Sequence, residues 1–126
     1  MPKPATKYFP EENYTELDLV SLSYVSDATE EFGILALMQL VDKASRRNKS
    51  LNITGVLSFD NGRFGQILEG KPKDVELLWE AIQRDTRHSN VVSLGMKRIN
   101  SRRFANWSMR LCGQEEITSA NPDIKL

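Results

Sequence analysis

The chain has 126 residues, with 17 Lys plus Arg balanced by 17 Asp plus Glu and 40% hydrophobic residues. That length holds one domain around one core, and zero net charge argues against a general binder of nucleic acid or anionic membrane. The single cysteine, Cys112, cannot form an internal disulfide, which fits a cytoplasmic protein. No run reaches the roughly 20 apolar residues of a membrane span.

Residues 1–17 are polar, carry prolines and acids, and read as a flexible lead-in. Residues 18–113 form the compact stretch, and 114–126 a polar tail in which Pro122 discourages a helix. Within the compact stretch, Leu19 to Val25 is a strand that puts Val20, Leu22 and Tyr24 on one face. Ser26-Asp27-Ala28-Thr29 offers cap chemistry, and Glu30 and Glu31 suit the positive start of a helix. Leu37, Met38, Val41 and Ala44 continue that helix to Ser45-Arg46-Arg47-Asn48. Ile53 to Phe59 is a second strand. Asp60-Asn61-Gly62 is a tight turn, because Asn and Gly tolerate positive φ. Arg63 to Glu69 closes the hairpin, with Gly70 at its end. Pro72 then opens a second helix whose apolar stripe is Val75, Leu78, Ala81 and Ile82. Val91 to Ile99 and Trp107 to Leu111 are the fourth and fifth strands. The order βαββαββ predicts a ferredoxin-like α+β fold, two helices covering one face of a five-stranded mixed sheet. That fold hosts many unrelated functions, so side chains must supply the function.

Gln66 shares its strand face with Phe64 and Leu68, so alternation turns an amide toward the core. An unpaired amide there costs about 1–3 kcal/mol. Tyr24 poses the same question for a hydroxyl, and in both cases a backbone carbonyl could be the partner. Asn48 stands where the first helix ends, and Arg84-Asp85-Thr86-Arg87-His88 follows the second. Both read as helix termination or, with the planar fork of Arg87, as an anion site. Trp107 and Met109 lie two apart on the fifth strand and read as packing. A catalytic Cys112 would need a positioned base, and His88 is the only histidine.

Taken in order, five stretches resemble the BLUF domains, flavin-based blue-light sensors. They are Leu22-Ser23-Tyr24-Val25-Ser26, Arg47-Asn48 with Asn52-Ile53-Thr54-Gly55-Val56-Leu57, Gly62-Arg63-Phe64-Gly65-Gln66-Ile67-Leu68-Glu69-Gly70, Asp85-Thr86-Arg87-His88, and Arg103-Phe104-Ala105-Asn106-Trp107-Ser108-Met109. The resemblance implies non-covalent FAD, with FMN or riboflavin as alternatives, its ring held between the two helices against the sheet. It makes Tyr24 the photoactive tyrosine, Gln66 the switching glutamine, and Trp107 and Met109 the alternating pair that follows them. It assigns flavin contacts to Asn48, Arg87, His88, Leu40 and Asp85, and implies no bond-breaking chemistry. Signalling would pass to an unidentified protein effector or to a second copy of the chain, with neither nucleic acid nor membrane as partner.

Two departures stand out. Gly65 occupies a position where the family has a bulky apolar residue, which predicts looser packing behind Gln66. The tail is too short and polar for a pair of C-terminal helices, which predicts a bare far sheet face carrying Val92, Leu94, Met96 and Leu111. The competing readings are a ferredoxin-like enzyme handling a phosphate through Arg87 and Asn48, and an RNA-binding module stacking bases on Phe59, Phe64 and Trp107.

Overall fold

The computed structural model describes residues 14–126; residues 1–13, most of the expected lead-in, lie outside the described residues. The elements are β1 (Leu19–Ala28), α1 (Ile34–Ser50), β2 (Thr54–Asp60), β3 (Arg63–Gly70), α2 (Pro72–Arg84), β4 (His88–Ile99), β5 (Arg110–Leu111) and α3 (Gln114–Ala120). One sheet runs β4-β1-β3-β2-β5, antiparallel except where β5 pairs with β2. β1 and β2 flank β3, and β3 and β4 flank β1, so the two βαβ units interleave as the ferredoxin-like fold requires. The remaining piece of the expected lead-in is anchored. The Tyr14 hydroxyl donates to Met96 O at 3.3 Å, and the Arg98 guanidinium stacks 4.8 Å from its ring.

Helix α1 begins eight residues later than Ser26, the first residue of the expected cap. β1 continues to Ala28, which pairs with His88 and donates its N–H to Gly62 O at 2.8 Å. Pairing to neighbours on both edges satisfies more backbone groups than a local cap does, and tertiary pairing overrides the cap signal. At the other end Asn52, not Asn48, takes the left-handed conformation that stops the helix, with φ of 55°. Asn48 is wholly buried in the last turn. The Asn61-Gly62 turn is as expected, with φ of 54° and 72°.

The sheet has a core on each face. Toward α1 and α2 lie Val20, Leu22, Tyr24, Leu57, Phe64, Leu68, Leu78, Trp79 and Ile82. On the far face lie Val25, Val56, Ile67, Phe104, Cys112, Ile117 and Ile124. The expectation of a bare far face and of a polar tail without a helix is therefore wrong. Residues 114–120 form α3, and Ile117 and Ile124 are fully buried. Burying one such side chain contributes about 1.5–3 kcal/mol, so two isoleucines dock a mostly polar segment. Pro122 falls after the helix, where it ends α3 without breaking it.

The expected far-face group also divides. Leu22 pairs with Met96 but Tyr24 pairs with Ser93, a bulge beside Gly95, whose φ is 104°. One extra residue reverses the parity of the strand. Met96 consequently joins the helix-side core, Leu94 packs on the far core, and Val92 is half exposed. Leu111 is intermediate in exposure and lies in β5. Strand five is shorter than expected, since only Arg110–Leu111 pair with β2, and Trp107 and Met109 belong to the connector before it.

Gly65 is not a gap. A Cβ placed there would sit 2.6 Å from Ile124 Cγ2 and 3.4 Å from Leu126 Cδ2. The tail side chains fill the volume that a larger residue would take, on the face opposite Gln66. Gly65→Val should cost about 1–3 kcal/mol by overpacking, measured by urea denaturation. The cost should fall in an Ile124→Ala background, where the opposing side chain is gone.

Candidate functional site

Alternation along three neighbouring strands builds the site. Gln66 lies at the centre of β3, with Tyr24 opposite on β1 and Leu57 opposite on β2, all facing the helices. The Tyr24 hydroxyl donates to Gln66 Oε1 through a short buried hydrogen bond. The amide nitrogen, Nε2, points to Met109 Sδ at 3.6 Å. Each polar end of the amide is thus directed to a side chain, so neither Tyr24 nor Gln66 relies on the backbone carbonyl that the sequence left open. Burial raises the Tyr24 pKa well above its ordinary 10, outweighing the opposing Arg47 charge, and the Asp85 charge adds to the rise. At neutral pH Tyr24 is a protonated donor.

This pair forms the floor of a cleft of about 260 Å³ between α1 and α2. Leu40 and Ala44 line it from α1, Ile82 from α2, Leu57 and Phe64 from the sheet, and Asp85, Arg87 and His88 at one end. Of the nine residues singled out from sequence, six line the cleft: Tyr24, Gln66, Leu40, Asp85, Arg87 and His88. Asn48, Trp107 and Met109 do not. Lys43 and Arg47 also line it and were missed, although their i, i+4 spacing on the Leu40 side of α1 was a readable signal. Partial burial lowers the Arg47 pKa from its ordinary value.

Asn48 is wholly buried on α1, one turn beyond Ala44, which lines the cleft. Its Nδ2 donates to Ser108 O at 2.8 Å, while Ser45 and Ser108 share a 2.5 Å hydroxyl contact. Its Oδ1 is buried and has no hydrogen-bond partner among the described residues. A buried acceptor left unpaired costs about 1–3 kcal/mol, so this oxygen calls for an N–H donor.

Trp107 and Met109 have separate environments. Met109 is buried against Gln66, whereas Trp107 is 39% exposed with the Arg110 guanidinium 4.1 Å from its ring centroid. His88 Nε2 lies 2.6 Å from Ile82 O, an acceptor only, so Nε2 carries the proton. Nδ1 contacts Ser26 Oγ at 2.7 Å. Both ring nitrogens are engaged by the protein, and His88 presents a ring edge to Tyr24 and Phe64. The Arg87 fork closes on Asp85, with Nε at 3.0 Å from Oδ1 and Nη2 at 2.5 Å from Oδ2. Cys112 is buried on the far face, where burial and then the Glu116 charge push its thiol up to about 11.

The two competing readings lose their residues. The Arg87 fork is closed on the Asp85 carboxylate, which leaves no free planar edge for a substrate phosphate. Phe64 is buried and packs with Phe59 and Phe32 as an internal cluster, with Phe59 and Phe64 centroids 4.8 Å apart, rather than as a surface platform.

A ferredoxin-like sheet whose buried Tyr–Gln pair floors a cleft between two helices defines a small-molecule-binding α+β domain. Residues 19–110 match the BLUF family, described as sensors of blue-light using FAD. The chain belongs to that family, whose domains sense blue light through a bound flavin. It is 39% identical to photoactivated adenylate cyclase subunit beta of Euglena longa over 106 residues, 82% of this chain but 12% of that one. It is 34% identical to the blue light- and temperature-regulated antirepressor BluF of Escherichia coli K12, over 74% of this chain and 23% of that one. The dark-state structure of BlrB, a BLUF protein, matches with a TM-score of 0.74 and 31% identity, covering 86% of this chain and 83% of that one. The chain thus spans far less than two thirds of the curated relatives it matches.

The Arg87 hydrogen bonds hold the Asp85 carboxyl down at about 2, below its ordinary 3.8. A depressed folded-state pKa contributes stability above pH 4 and loses it as pH falls through about 2. Asp85→Asn should therefore be less stable than the parent at pH 6, and the difference should narrow between pH 4 and pH 2. Urea denaturation of both proteins across that range checks it.

Proposed function

We propose that this chain is a blue-light photoreceptor domain that holds FAD without a covalent bond in the cleft between α1 and α2 and turns over no substrate. FMN or riboflavin would use the same ring contacts. The observation that carries the reading is the Tyr24–Gln66 hydrogen bond at the cleft floor, an oxidisable phenol joined to a two-ended amide and sealed from water.

The residues present suit a flavin. The cleft has apolar side chains on both helix walls and, at about 260 Å³, approaches the roughly 300 Å³ of small ligand pockets. Lys43 and Arg47 supply cations for a phosphate-bearing tail, with the Arg87–Asp85 pair beside them. The unpaired Asn48 Oδ1 is an acceptor suited to the imide N–H of a flavin ring. Leu40 would cover the ring, and Asp85 would hold Arg87 in place. His88, its nitrogens already engaged, would contribute packing.

When bound, the flavin supplies the blue absorption and, once excited, a strong oxidant. An electron leaving Tyr24 makes its phenol proton acidic, and Gln66 Oε1 is the atom in contact to accept it. When the electron returns, Tyr24 regains its proton and the amide can settle in a second arrangement, by rotation or tautomerisation. Rotation carries Nε2 away from Met109 Sδ, and tautomerisation leaves Nε2 with one N–H in place of two, so either can weaken that contact and free the connector before β5 to shift. The signal then passes as a population shift to a protein effector or a second copy of the chain. Cytoplasmic placement accords with the lone buried thiol, and no helix among the described residues is long and apolar enough to cross a membrane.

Tyr24→Phe and Gln66→Leu should each retain flavin and abolish the light-induced red shift of its main absorption band. A Gln66→Leu protein with a full red shift would refute the role given to the amide. Asn48→Ala should instead release flavin more readily, losing about 0.5–1.5 kcal/mol of hydrogen bonding, read by equilibrium dialysis.

A further inference from the structure

β4 and β5 lie at opposite edges of the sheet, and the connector between them passes the far face at Phe104, which packs in the far core. One buried carboxylate meets it there. Glu69, 2% exposed, accepts the Arg103 N–H at 2.7 Å on Oε2 and the Phe104 N–H at 3.0 Å on Oε1. Oε1 also accepts the Thr54 hydroxyl at 2.9 Å. Arg102 fastens the same point, donating to Glu69 O and Thr54 Oγ1 at 2.9 Å each and to Asn52 O at 2.7 Å. From this anchor the path to the amide is short. Trp107 N–H donates to Phe104 O at 3.1 Å, Gly55 N–H donates to Trp107 O at 3.0 Å, and Met109 Sδ meets Gln66 Nε2. Glu69 is three residues from Gln66 on the same rigid strand, facing the opposite side.

We propose that Glu69 is a positioning residue for the switch: it fixes the connector to β3 and so sets where Met109 meets Gln66. This rests on the photoreceptor reading above and assigns the light-state lifetime to a carboxylate outside the cleft. Both oxygens of Glu69 accept hydrogen bonds from the anchored groups. An amide in their place turns an NH2 toward a backbone N–H and must give up at least one of these bonds. The connector then loosens, and the barrier that holds the rearranged amide falls.

The test uses the full chain loaded with FAD, comparing the parent, Glu69→Gln, Met109→Ala and the double variant for flavin content, red shift, dark-recovery rate and melting temperature. Glu69→Gln should keep FAD and the red shift but recover at least about threefold faster. In the Met109→Ala background the same change should leave the recovery rate unaltered, which a purely structural role does not predict. Thr54→Val removes one donor to the same carboxylate and carries the comparison if Glu69→Gln does not fold. Parental recovery in Glu69→Gln, or the same acceleration with and without Met109, overturns the proposal while the photoreceptor reading stands. A flavin-loaded parent with no red shift removes both.

Discussion

A glutamine amide carried into an apolar layer must have both of its ends satisfied, and much of this structure answers that requirement. Alternation on β3 fixes the direction of Gln66. The oxygen is met by Tyr24, its register partner on β1, and the nitrogen by Met109 from the connector. Neither contact is regular backbone pairing, so the amide's state depends on two side chains from distant parts of the chain. An arrangement held by one strong and one weak partner can be reset without unfolding anything else, because a thioether is a poor acceptor beside a carbonyl.

The far face of the sheet restrains that arrangement. Phe104 and Ile117 occupy the far core, Ile124 fills the notch at Gly65, and Glu69 ties down residues 103 and 104. Gly65 and Glu69 flank Gln66 in sequence but face away from it, so the strand carrying the amide is braced from behind by the connector and the C-terminal segment. The helix side holds the cleft that Tyr24 and Gln66 floor, whereas the connector and the C-terminal segment cover much of the far side and leave a cavity of about 330 Å³ beside Ser21, Ser23, Glu69 and Arg103. Such a division suits a domain in which one face reads a small molecule and the other carries elements able to report it.

The electrostatics of the cleft follow the same logic of paired groups. Asp85 and Arg87 neutralise each other at its end, and both nitrogens of His88 are spent on Ser26 and Ile82. Tyr24 is held neutral by burial. Of the cations near the cleft, Lys43 and Arg47 come from α1, one turn apart along the Leu40 side.

The strand and helix order, the Asn61-Gly62 hairpin and the inward direction of Tyr24, Gln66 and Phe64 were all legible in the sequence, since each depends on local periodicity or turn chemistry. Ordered motifs also identified the family. Tertiary structure alone decided that β1 runs on through the apparent cap, because pairing on both sides outweighed a local signal. It placed Met96 and Val92 on opposite faces, since a bulge changes parity without any composition signal beyond one glycine. It seated Met109 inside and left Trp107 at the surface, where two large apolar residues two apart looked equivalent. The polar tail concealed two buried isoleucines, one of which, Ile124, fills the notch at Gly65, and that fit between residues 59 positions apart exists only once the chain has folded.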